Sequence, residues 1–184
     1  GTITLAISGT PRGNWPRLLP RIGVVMQLPK RLDQVQWLGL GPNETYADSK
    51  QAGRFGLWQS TVDAMATPYV RPQEFGNHTE THWAALQNAG GAGVLVQGDP
   101  TIDFGAQRYA TAEIDAAMHT TDLVADEYIS LHVDWKQHGL GTASCGQAVL
   151  PQYELETQPF AYRFALRPIA SNDESLTVLG AESI

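Results

Sequence analysis

The sequence predicts an all-β protein, an antiparallel β-sandwich with short connecting helices. Two observations carry that expectation. Nine short runs rich in Val, Ile, Leu and aromatic residues recur along the chain, separated by Gly, Pro and Asn clusters. Only two segments have helical character, and both are too short to serve as the crossovers of a parallel sheet.

The runs can be taken in order. Ile3, Leu5 and Ile7 alternate with Thr2, Thr4, Ala6 and Ser8, which is the two-residue period of a strand. Strands are expected next at 21–28 (RIGVVMQL) and 34–40 (QVQWLGL). Further strands are expected at 68–72 (PYVRP), 79–86 (TETHWAAL) and 93–99 (GVLVQGD). The last three are 128–134 (YISLHVD), 153–155 (YEL) and 162–168 (YRFALRP). A first helix is expected over 42–53, with Asn43 as N-cap and Gly53 as stop. A second is expected over 111–122, with Thr111 as N-cap and Ile114, Ala117 and Met118 on one face. Residues 1–170 read as one domain, and 171–184 as a loosely held tail.

Composition narrows the function. An apolar share of 42% and a charged share of 17% suit a folded core and argue against disorder. The net charge of −7, with no Lys/Arg cluster, argues against a nucleic-acid partner. No apolar run approaches the length of a membrane span, and the opening residues lack a signal-peptide pattern. The single cysteine excludes an internal disulfide and fits a reducing, cytoplasmic compartment. The chain opens inside an expected strand and without an initiator methionine, so the expectation is a piece cut from something longer, or one lacking a partner.

Several residues invite a chemical reading. His78, Glu80 and His82 stand at alternate positions, so a regular strand would point all three to one face, where two imidazoles and a carboxylate suit zinc. The zincin pattern needs the Glu directly after the first His, on a helix, so the favoured reading is a polar outer face. Asp134 with His132 is a strand-spaced acid–base pair, and His138 follows. Without a third orienting group, a buried carboxylate pinning a turn is the favoured reading. Asp122, Asp126 and Glu127 read as solvated. Cys145 sits in a glycine-rich turn, GLGTASCG. A nucleophilic role needs a neighbouring base and a depressed thiol pKa, and a small apolar filler is the commoner role. These residues alone give an all-β domain with a glycine-rich loop and no named activity.

Five blocks in one order carry a resemblance. They are LPRIGVVMQLP (19–29), VQWLGLGPNETYADSK (35–50), TPYVRPQEFGNHTETHW (67–83), HVDWKQHGLGTASCG (132–146) and VLPQYEL (149–155). Their order and spacing resemble the C-terminal domain of large bacterial β-galactosidases of the LacZ type, in glycoside hydrolase family 2. The same region forms part of the small chain of two-subunit members. The most specific block is W-x-G-x-G-P-x-E-x-Y at 37–46, and the resemblance covers about residues 1–168.

The resemblance implies a β super-sandwich like that of galactose mutarotases, of which this chain is the later part. It implies that the acid/base and nucleophile glutamates lie in a (β/α)₈ barrel outside this chain, so no catalytic residue is expected here. The loop matching GLGTASCG closes one side of the galactose pocket, which makes Cys145, Ser144 and Gly146 the expected substrate-binding residues. Enterobacterial members place a stacking tryptophan where Cys145 stands, and this loop is one residue shorter; a cysteine there looks like some actinobacterial members. Trp135 is a candidate nearby aromatic surface, with core packing or an exposed face as the favoured reading. Trp37, Pro42, Glu44 and Tyr46 are expected to hold the fold, and Arg71 with Glu74 to form an ion pair. The full enzyme uses magnesium and sodium, and no metal or cofactor is expected in this segment.

The expected partners are the remainder of the β-galactosidase chain or its large subunit and a galactoside, within an oligomer. No nucleic acid and no membrane are expected. Two rivals are a non-catalytic carbohydrate-binding or interaction module, and a mutarotase-like epimerase. The second needs a His and a Glu converging in one cleft.

Overall fold

The computed structural model describes residues 1–142 and 145–184. Eight strands account for most of the regular structure among them: β1 (Ile3–Gly9), β2 (Arg21–Pro29), β3 (Gln34–Gly41), β4 (Arg54–Thr61), β5 (His78–Gln87), β6 (Gly93–Gln107), β7 (Tyr128–Gln137) and β8 (Phe160–Ile169). Helices are short: α1 (Thr111–Ala116), α2 (Leu176–Leu179) and single 3₁₀ turns at Thr120–Asp122 and Pro151–Tyr153. The all-β antiparallel expectation is met.

Every strand pairing is antiparallel. One path runs β1-β8-β6-β5-β3-β4, and a branch joins β2 through β7 to β6. The branch arises because β6 is long. Its first half pairs with β8, from Gly93↔Ile169 to Asp99↔Arg163. Its second half pairs with β7, from Asp103↔Asp134 to Gln107↔Ser130. The change of partner falls between Asp99 and Asp103, across Pro100. A proline removes a ladder donor there, and β5 answers with register shifts between His78 and Trp83. The expected strand 93–99 is thus the first half of one 15-residue strand.

The two branches face each other as the layers of a sandwich. Between them pack Phe164 of one layer and Leu131 and Val133 of the other, with Leu5, Ile7, Val24 and Met26 half-buried at the margin. The Tyr162 hydroxyl crosses the gap and donates to the Val133 carbonyl at 3.4 Å. At the centre Trp37 lies 4.3 Å from the His78 ring and 5.9 Å from Phe104, centroid to centroid.

Four elements depart from the sequence reading. β4 was not expected: RFGLWQST carries Gly56 and ends in polar residues, yet it pairs with β3 from Gln34↔Thr61 to Gly41↔Arg54. Residues 68–72 and 153–155 form no strand, since Pro68, Pro72 and Pro151 interrupt the ladder or favour a turn. The expected helix over 42–53 is a set of turns, tied by Thr45 N–H to Asn77 O at 2.7 Å and a Tyr46–Ser49 bridge. The expected helix over 111–122 splits in two, and its N-cap is Ala110 rather than Thr111.

Within the tail over 171–184, α2 packs two leucines on the sheet. Leu176 and Leu179 are buried against Trp83, Ala85, Leu95 and Ile169, on the sheet face opposite the main core. Burying a leucine contributes about 1.5–3 kcal/mol, enough to order a short segment. Gln97 donates from Nε2 to the Glu182 carbonyl at 3.1 Å, and Arg167 pairs with Glu182 at 2.5 Å.

Candidate functional site

The glycine-rich loop leaves the end of β7 and returns through the Pro151–Tyr153 turn. Its root is fixed by two backbone bonds: His138 N–H to Pro20 O at 2.9 Å, and Gly139 N–H to Tyr153 O at 2.9 Å. Above the root, Asp48 reaches in from the turn before β4. It accepts from Leu140 N–H at 3.0 Å and from Gly141 N–H at 2.7 Å. Gly141 has φ +67°, a region that an L side chain rarely adopts. The tip closes on itself: Thr142 donates to Gln147 O from its N–H at 2.8 Å and from its hydroxyl at 3.0 Å. Cys145 N–H donates to Thr142 O at 3.0 Å.

Between this loop and the body lies a cleft of about 630 Å³. The loop wall is Leu140, Gly141, Thr142, Gln147, Ala148 and Leu150; the body wall is Asp48, Ser49, Tyr69, Gln73, Glu74 and Tyr153. Two phenol rings and several amide and carboxylate groups suit a polyhydroxylated ligand, with apolar faces for ring C–H groups and polar edges for hydroxyls.

The carboxylates around the cleft are committed to the fold. Glu44 accepts from Thr67 Oγ1 at 3.0 Å, from Gly76 N–H at 2.7 Å and from the Tyr69 hydroxyl. Burial, with Glu44 beside it, pushes the Tyr69 hydroxyl up to about 12. Glu74 pairs with Arg21 at 3.2 Å. Burial raises the Glu74 carboxyl above its ordinary range, and Arg21 opposes the rise. Arg21 also holds buried Asp134, from Nε at 3.0 Å and Nη2 at 2.5 Å. The expected Arg71–Glu74 ion pair is therefore replaced by Arg21–Glu74, and Arg71 is exposed.

The residues read as chemical candidates are scattered. His78, Glu80 and His82 do not share a face, because the β5 register shifts between them. His78 is buried, and its ring stacks on Phe104. Glu80 turns outward at φ +57° and pairs with Lys50. His82 packs edge-on against Phe55. Among the described residues no group of three His, Cys, Asp or Glu side chains could hold a metal ion.

His132 is buried with both ring nitrogens unpartnered, while Asp134 pins Arg21 and Gln137. The reading of a buried structural carboxylate is the one observed. Burial, with Arg21 nearby, lowers His132 to about 3, and burial lowers His78 to about 4, so both stay neutral near pH 7. Trp135 stacks on Phe160 at 5.9 Å and does not line the cleft. Asp122 caps the 3₁₀ turn through Met118 N–H and His119 N–H, and Glu127 pairs with Lys30.

Of the expected substrate-binding residues, Cys145 and Gly146 are exposed on the loop tip, and Ser144 lies outside the described residues. A side chain at 146 would crowd Thr142 Oγ1 at 2.6 Å. The sequence reading missed Asp48, Tyr69, Gln73 and Tyr153. Asp48 lies inside the 35–50 block, two residues after Tyr46, but nothing in that block marks its contact with the loop.

The structure is an all-β sandwich with a glycine-rich loop over a polar cleft, and comparison with known proteins gives the family. The family model described as beta galactosidase small chain matches residues 1–166. The chain belongs to that family. It is 33% identical to a β-galactosidase of Priestia megaterium, over 92% of this chain and 16% of the relative. It is 32% identical to one of Arthrobacter sp. (strain B7), over 89% of this chain and 16% of the relative. A Kluyveromyces lactis β-galactosidase is 37% identical over 82% of this chain and 14% of its own length. The chain thus spans only about a sixth of these relatives. No helix among the described residues is long and apolar enough to cross a membrane.

Proposed function

We propose that this chain works as the C-terminal part of a β-galactosidase that hydrolyses terminal β-D-galactosides such as lactose with retention. In this reading the chain stabilises the enzyme and lends the Cys145 loop to one side of the galactoside pocket. The two glutamates that retention requires lie in a barrel domain outside these residues. The isolated chain is inactive, and magnesium and sodium are held elsewhere in the enzyme. Its partners are the remainder of the β-galactosidase and the galactoside, within an oligomer, in the cytoplasm.

The observation that carries this reading is the match over nearly the whole chain to proteins named β-galactosidase. A structural role for the local carboxylates supports it: Glu44, Asp48 and Glu74 are bound to the fold, so none stands as an acid or nucleophile.

Complementation tests it. The purified chain is mixed with the rest of its parent enzyme, and β-galactoside hydrolysis is assayed. The expected result is no activity from either part and activity from the mixture. A folded chain that restores nothing yet binds galactose or lactose by itself would favour a carbohydrate-binding module. The cleft with Tyr69 and Tyr153 is the observation behind that second reading. An epimerase is disfavoured: His78 and His132 are buried, His138 is half-buried, and none of the three lines the cleft.

A further inference from the structure

We propose that Asp48 is the positioning residue of the Cys145 loop, and that it sets the affinity for the galactoside through the placement of that loop. The functional half of this inference rests on the reading above. The geometric half stands alone.

Asp48 is built to hold position. It sits in a turn whose Tyr46 and Ser49 exchange backbone bonds at 3.2 and 3.0 Å. That turn is anchored by buried Tyr46 and by Thr45, whose hydroxyl accepts from Thr79 N–H at 3.0 Å. From this platform the carboxylate spans two successive amides, Leu140 and Gly141, with one oxygen each. Two consecutive N–H groups converge on one anion when a left-handed residue follows a right-handed or bridging one; the positive φ of Gly141 supplies that turn. Hydrogen bonds to an ionised acceptor are about twice as strong as neutral ones. Gly139 completes the fit, because a Cβ there would lie 2.7 Å from Asp48 Oδ2.

The hold is transmitted to the tip. Gly141 is followed at once by Thr142, which closes the loop on Gln147, and Thr142 O receives the Cys145 N–H. A Cβ on Gly141 would meet Val149 N at 2.8 Å, so the outgoing and returning arms abut. Asp48 therefore fixes the angle at which residues 139–141 lead the chain away from the body. A displacement of about 1 Å in a substrate-positioning group is enough to cost a large factor in turnover or binding.

The test has two independent readouts on Asp48→Ala and Asp48→Asn. The first is amide hydrogen exchange in the 184-residue chain. Exchange at Leu140 and Gly141 is expected to rise about tenfold or more in Asp48→Ala, with Leu131 and Val96 in the core unchanged. Asp48→Asn keeps one acceptor oxygen and should recover part of the protection. Unchanged exchange at Leu140 and Gly141, or exposure of the whole core in both variants, would overturn the positioning role. The second readout is kinetics of the complemented enzyme. KM for a β-galactoside should rise about tenfold in Asp48→Ala, with kcat within about twofold. Faster loop exchange with an unaltered KM would overturn the link to substrate while leaving the Asp48 clamp intact. If the unmodified chain restores no activity, the β-galactosidase reading fails, and the exchange experiment still decides the clamp.

Discussion

The centre of the sheet and the loop at its edge are held by different forces. Along β3, β5 and β6, side chains are buried on both faces: Ala84 and Leu86 face the main core, and Trp83 and Ala85 face α2. Position there is set by packing, which is short-ranged, dense and costly to disturb. The loop over 139–150 has Leu140 at 39% and Leu150 at 46% exposure, and Cys145 is exposed. Its position is set by hydrogen bonds at a few points, with Asp48 at the root and Thr142 at the tip. The difference separates two kinds of mutation. Changes in the centre act on stability, and changes in the loop act on what the loop presents.

The largest effect should come from the centre. Trp37→Ala removes a ring that packs on His78 and Phe104 and leaves the Leu40 carbonyl without its indole donor. It should cost about 3–5 kcal/mol, read from the shift of a urea unfolding curve. A cost no larger than that of a loop substitution would break the contrast.

Next comes a pH effect at His132. An unfolded histidine takes up a proton near pH 6.5, whereas burial holds the folded one at about 3. The unfolded state therefore binds more protons in that window. The contribution of His132 to stability is fully present above pH 6.5 and is lost as pH falls toward 3. His132→Leu removes this loss. The stability difference in favour of the variant should grow by about 1.4 kcal/mol per unit as pH drops from 6.5 to 4. A pH-independent difference between the two proteins would show that His132 is not held neutral.

A smaller loss is expected where the body meets the cleft. Glu44→Ala strips an acceptor from Thr67, Tyr69 and Gly76 N–H. It should cost about 2–3 kcal/mol, since bonds to a charged acceptor are lost and an amide is left unpaired. Thermal melts and urea curves of the same variant should agree.

How much of this was legible in the sequence follows the same division. Strands with a strong local signal, such as 21–28 and 128–134, begin where expected and end one and three residues later, because alternation of apolar side chains is a local property. β4 was missed because its place is set by its partner β3, not by its own composition. The His78–Glu80–His82 face dissolved for a related reason: the period-2 rule assumes an unbroken strand, and across the β5 bulge His78 is buried while Glu80 and His82 stay exposed. The tail is the same lesson reversed, since two leucines in a polar stretch gain meaning only once Trp83 and Ile169 form a surface for them. At the site, the loop was read from its glycines and by family resemblance. Asp48 was not, because a side chain that clamps a loop 92 residues away leaves no pattern in the sequence around it.

The smallest effect on stability, and the sharpest on function, is expected at Cys145. The side chain is exposed, so Cys145→Trp should change stability by less than about 0.5 kcal/mol. An indole on this loop offers a flat apolar face that the thiol lacks. In the complemented enzyme it should lower KM for a β-galactoside about threefold to tenfold, the range that about 0.5–1.5 kcal/mol of stacking supplies. Combined with Asp48→Ala, the gain should shrink, because a platform that is no longer aimed cannot stack. Full additivity of the two changes would mean that the loop's angle and its tip act separately, and the contrast between a packed centre and a clamped edge would lose its functional half.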